Sequence, residues 1–104
     1  MLDELKKALE STGIPFAHYA WSVRPSGDYG VWGEDSATSV WADGKLCERS
    51  TQGTVDLFAD DDGGFAKELI ESALNSVDCS WYLNSIQYEN DTRLLHYEWV
   101  FEVA

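Results

Sequence analysis

Leu94-Leu95-His96-Tyr97-Glu98-Trp99-Val100-Phe101-Glu102-Val103 decides how this chain is read. Leu95, Tyr97, Trp99, Phe101 and Val103 fall on every second residue, and His96, Glu98 and Glu102 take three of the positions between, which is the period of a half-buried strand. Five large side chains on one face need a layer to lie on. The broad matching apolar surface is the helix-like run 65–77, where Phe65, Leu69, Ile70, Ala73, Leu74 and Val77 form a stripe and Lys67, Glu68, Glu71, Ser72 and Asn75 take the other side. On this reading Leu69 lies face to face with Trp99.

Working outward, residues 81–89 alternate loosely, with Tyr82, Ile86 and Tyr88 on one parity, and Asn90-Asp91-Thr92 turns them into the last strand. Asp60-Asp61-Asp62-Gly63-Gly64 precedes the helix and offers it an acidic N-cap. Before it, residues 46–59 predict a long strand bulged near Gly53. Ala42-Asp43-Gly44-Lys45 predicts a tight hairpin, because Asp-Gly readily supplies positive φ angles, so the segments on either side should pair antiparallel. A further strand starts at Tyr29, and the aromatic run 16–21 gives another, separated from it by the turn formers Arg24-Pro25-Ser26-Gly27-Asp28. Leu2, Leu5 and Leu9 mark a short opening helix that stops at Gly13 and Pro15 and is held by docking on the sheet. The expectation is an α+β domain spanning residues 1–104, with a largely antiparallel sheet and two helices packed on one face.

At 104 residues with 44% apolar content the chain suffices for one core. Nineteen acidic residues against seven Lys and Arg give a formal charge of −12. Such a surface repels phosphate, so specific binding to DNA or RNA is not expected, although an acidic wall can line a passage through which DNA slides. No apolar run approaches the roughly 20 residues that cross a bilayer, and Asp3, Glu4, Lys6 and Lys7 do not resemble a secretory leader, so a soluble, unprocessed protein without membrane partners is expected. Cys47 and Cys79 form no CxxC pair and are read as reduced, dispensable thiols.

Catalytic chemistry finds little support. His18 and His96 have no sequence context that pairs either with a nucleophile. The consecutive acids 60–62 lack the alternate spacing of a calcium loop, and neither GxGxxG nor a P-loop occurs. No catalytic residue, cofactor or metal ligand is assigned. Trp32 and Trp41 flank a Gly/Ser/Asp-rich segment, and two readings stand: they fold back over a sheet edge, or they face a partner.

The order of motifs resembles a family of small proteins encoded in the tail-assembly regions of bacteriophages and prophages. The similarity runs through Gly13-Ile14-Pro15-Phe16 after the first helix, Trp41-Ala42-Asp43-Gly44-Lys45 at the hairpin, Thr54-Val55-Asp56-Leu57-Phe58-Ala59-Asp60 in the long strand, the helix at Lys67-Glu68-Leu69-Ile70-Glu71-Ser72-Ala73-Leu74, and Tyr97-Glu98-Trp99-Val100-Phe101-Glu102-Val103. What this resemblance implies is a tail terminator or head-to-tail connector. Such a virion protein forms a ring, usually of six subunits, at the tail–neck junction after assembly in the host cytoplasm. Its expected partners are copies of itself, the tail tube and neck proteins, with DNA passing nearby unbound. Tyr29, Trp32, Trp41 and Lys45 are the expected subunit contacts. The competing reading is a small acidic inhibitor, such as a DNA mimic, which would array carboxylates along one stripe at phosphate-like spacing.

Overall fold

A computed structural model describes residues 2–42, 45–60 and 64–103, with backbone pairing alone for residues 36–42 and 45–49. The elements in chain order are α1 (Leu2–Glu10), β1 (Phe16–His18), β2 (Tyr29–Ala42), β3 (Lys45–Ala59), α2 (Phe65–Asn75), β4 (Cys79–Glu89) and β5 (Leu94–Val103). The strands form one sheet in the order β1-β2-β3-β5-β4. All neighbours run antiparallel except β1, which lies parallel to β2. This is the expected α+β architecture.

β5 sits where its alternation requires, between β3 and β4, with Tyr97, Trp99, Phe101 and Val103 buried. Val55 pairs with Trp99 and Leu57 with Tyr97, so β3 presents its apolar parity to the same face. Leu5 and Leu9 of α1 and Ala66, Ile70, Ala73 and Leu74 of α2 close over that face in one cluster. Leu5, Leu9, Ile70, Leu74, Val55, Leu57 and Trp99 have no exposed surface, and each large side chain so buried contributes about 1.5–3 kcal/mol.

Two features of the α2 reading are corrected. The stripe facing the sheet runs through Ala66, Ile70, Ala73 and Leu74, continuing to Val77 beyond the helix end. Phe65 is 71% exposed, and Leu69 is half-buried in a groove with Ser11, Thr12, Ser72, Ala73 and Ser76 rather than opposite Trp99. Trp99 instead donates its indole Nε1–H to Glu71 Oε2 at 3.0 Å, and Glu71 also takes Lys67 Nζ at 3.3 Å. Satisfying the indole N–H lets a tryptophan lie wholly inside the core. The N-cap is Gly64, without a side-chain capping bond, while Asp61 and Asp62 lie outside the described residues.

The bulge expected in β3 near Gly53 falls instead in the facing strand, across from Gly53. The register of β2 shifts between Glu34 and Ser36, which leaves Asp35 as the extra residue. A side chain at Gly53 would run into the Gly33 carbonyl oxygen and the Phe101 ring. β1 is shorter than expected, because Tyr19 turns the chain with φ +73° immediately after His18.

Candidate functional site

Tyr29 and Trp32, expected at a subunit contact, lie inside the monomer with 6% and 5% of their surface exposed. Trp32 is opposite Val55 on the helix-covered face, and its ring stacks on His18 at 4.2 Å, which stacks in turn on Tyr19 at 4.2 Å. His18 Nε2 is 2.6 Å from Glu34 Oε1, and the Tyr19 hydroxyl donates to the Glu34 carbonyl oxygen at 3.0 Å. The bond to His18 holds the Glu34 carboxyl below its usual range. The short strand β1 thus seals Trp32 from the side, the first of the two readings open in the sequence. Within the subunit neither Tyr29 nor Trp32 has appreciable surface left for a neighbour. The side chains of Trp41 and Lys45 lie outside the described residues, as does the Asp43-Gly44 turn.

On the other face of the sheet the register aligns Tyr29, Phe58 and His96 in one row across β2, β3 and β5. Tyr29 and Phe58 stack at 4.8 Å, Phe58 and His96 at 4.3 Å, and the Arg24 guanidinium stands over Tyr29 at 5.9 Å. His96 Nε2 is 2.7 Å from Asp56 Oδ1, and Nδ1 is 3.4 Å from Glu89 Oε2. The bond to Asp56 leads the causes that raise the His96 pKa, helped by the charges of Asp56, Glu89 and Glu98 and opposed by desolvation. Both ring nitrogens face carboxylates, so the imidazolium is a charged tie between three strands rather than a free base. Sequence reading placed His96 on the polar face but missed Asp56 and Glu89, which lie 40 positions away and across the closing turn.

Cys79 is a free, half-buried thiol whose pKa is pushed up by burial and by the Asp78 charge. Among the described residues no group of three His, Cys, Asp or Glu side chains could hold a metal ion, and no helix is long and apolar enough to cross a membrane.

Among the described residues the sheet has open main-chain edges on both sides. β1 covers β2 only at Gly30, Val31 and Trp32, and β5 meets β3 only from Thr51 onward. Residues 36–42 and 45–50 pair with each other alone, as a two-stranded arm beyond the sheet, in a molecule measuring 51 × 26 × 25 Å. At the opposite edge, β4 pairs with β5 on one side and has no strand on the other. A shallow groove of about 180 Å³, lined by residues that include Ser80, Tyr82, Val100 and Glu102, opens beside the start of β4.

Neither a protein-family model nor a curated protein matches the chain.

Proposed function

We propose that the chain is a structural subunit that closes with copies of itself into a ring, as a tail terminator or head-to-tail connector of the bacteriophage type its sequence resembles. The observation that carries this reading is the arm. A two-stranded ribbon with no third strand is marginal on its own, so strands of fourteen and fifteen residues that outrun their sheet call for a surface on another subunit. The ring stands at the tail–neck junction, with tail tube and neck proteins as partners. It works as a scaffold rather than an enzyme and uses no cofactor. The charge of −12 supports the same role, because an acidic wall repeated around a channel lets DNA pass without holding it.

The side-chain partners on the open face weigh against the DNA-mimic reading. Asp56 and Glu89 are engaged by His96, and Glu98 accepts a bond from Asn84 Nδ2 at 2.7 Å, so these carboxylates are not arrayed free along a stripe. With Tyr29 and Trp32 inside the monomer, the contact is assigned to the arm, where Trp41 pairs with Leu46 and Ala42 with Lys45.

The test is solution mass at increasing concentration, with imaging of the particles in the presence and absence of tail tubes. Rings are expected from the wild type, and Trp41→Ser should yield folded monomers. A wild-type chain that stays monomeric even with tail tubes would end the ring reading.

A further inference from the structure

We infer that β4 is a strand-addition edge that accepts the open edge of β2 from a second copy of this chain, so that the sheet continues from one subunit into the next. The inference rests on the ring reading and says which edges meet. β4 is eleven residues long and contains no proline, lysine or arginine, and its one interruption is a register shift at Asn84 that leaves residues 79–83 and 85–89 regular. A long edge strand without proline or basic side chains is a template for pairing, and proteins that remain monomeric usually blunt or cover it. Tyr82, Ile86 and Tyr88 stand 55%, 49% and 57% exposed along it, and the groove beside Ser80 and Tyr82 leaves room on the open face for an incoming side chain.

Three observations select a copy of this chain as the occupant and β2 as its donor. The first is length: with β1 ending at Trp32 and the Tyr19 hydroxyl on the Glu34 carbonyl oxygen, β2 leaves residues 36–42 open, seven residues that fit within the eleven of β4. A ladder of that length forms about seven main-chain hydrogen bonds, within the range a standard protein interface carries. The second is direction. β2 opposes β3, β3 opposes β5, and β5 opposes β4, so β4 runs opposite to β2 within the subunit and opposite to β2 of any copy oriented alike. The pairing is therefore antiparallel. It is also heterologous, one edge meeting a different edge, which is what ring closure needs.

The third is charge. Two copies each carrying −12 repel, and contact is least costly where neither edge adds to that repulsion. Cys79 through Tyr88 hold no charged residue and Glu89 ends the strand, while Ser36-Ala37-Thr38-Ser39-Val40-Trp41-Ala42 hold none at all.

Charges placed on each edge test this directly. The full chain is prepared with Ile86→Glu and Tyr88→Glu, blocking β4, and separately with Thr38→Glu and Val40→Glu, blocking the arm. Retained melting temperature and circular dichroism establish that each folds. If the β4 pair disturbs the fold, Tyr82→Glu with Gln87→Glu, both on exposed side chains, replaces it. Each variant alone should run at the mass of one subunit, and an equimolar mixture should run at twice that mass, because one good arm then meets one good β4 and the chain of contacts stops there. In the wild type, amide exchange in residues 36–42 and 79–89 should slow as concentration rises.

Dimers from the arm-blocked variant alone would mean that β4 pairs with β4 and would overturn the inference. So would a mixture that stays monomeric, or assembly with no change in β4 exchange. Rings that persist in both variants would remove this inference and leave the ring reading standing, whereas a monomeric wild type removes both.

Discussion

The strands β2 and β3 live two lives along one hairpin. From Tyr29 to Glu34, β2 has β3 beside it throughout and β1 along Gly30, Val31 and Trp32, while β3 from Thr51 onward has β5. There the residues facing the helices are sealed, with Trp32, Val55 and Leu57 almost free of solvent. Past the Asp35 bulge the same two strands have only each other. The inner half is thus hydrogen-bonded on both sides and buried, whereas the outer half is hydrogen-bonded on one side alone. Since main-chain hydrogen bonds contribute little net and burial contributes most, the inner half carries the stability of the subunit and the outer half is left for contact with something else.

That contrast is open to attack from several sides. Trp99→Ala strikes the inner half hardest: it empties the largest fully buried site and removes the indole donor to Glu71 Oε2, and should cost about 3–5 kcal/mol in denaturant unfolding. A loss below about 1 kcal/mol would mean that the inner half is not where stability resides. Next, Ile70→Ala should cost about 2–5 kcal/mol, and Leu69→Ala less than half of what Ile70→Ala costs, because Leu69 lines an open groove. Equal losses would restore the helix orientation that the apolar spacing suggested.

A smaller effect belongs to the open face. Because the folded state favours the His96 imidazolium, its tie to Asp56 and Glu89 is fully present below the ordinary value of 6.5 and is lost as pH rises through the raised folded value. Wild type should therefore exceed His96→Gln by about 1–2 kcal/mol more below pH 6.5 than in alkaline solution. A difference that does not change with pH would leave His96 a stacking ring and nothing more. Smallest of all should be removal of the arm. Joining Asp35 to Thr51 through an Asn-Gly turn in place of residues 36–50 should change monomer unfolding by about 1 kcal/mol or less, while abolishing assembly. A large loss of monomer stability would erase the distinction between the two halves.

How much of this was legible in the sequence follows from the range of the interactions. β5 and its burial were readable because Tyr97, Trp99, Phe101 and Val103 repeat at a strand's own period. The hairpin was readable because Asp-Gly fixes a turn locally, and β2 and β3 do pair antiparallel up to Ala42 and Lys45. The orientation of α2 was misread because Phe65 and Leu69 outweighed Ala66 in an apolar count, although the sheet leaves room for the small residue and takes the indole bond to Glu71 instead. The burial of Trp32 was undecidable from a Gly/Ser/Asp-rich neighbourhood. It depends on β1 arriving from 14 positions away, as His18 does opposite Trp32, and running parallel, a pairing that no local pattern announces. The edges proposed for assembly were visible as uncharged runs, but only the strand order shows that both are open.

The place of β3 in that order also bears on how the chain reaches its native state. β2 with β3, and β4 with β5, are hairpins closed by short connections, whereas the β3–β5 seam joins partners such as Asp56 and Glu98, some forty residues apart. Loop-closure entropy is therefore concentrated at one line, and the search for that line governs the folding rate. Two hairpins that form early and meet late predict a transition state in which Val55 and Trp99 have not yet docked. Val55→Ala should then speed unfolding far more than it slows folding in a chevron measurement, with the kinetic cost of the native topology falling on the seam where the two hairpins meet.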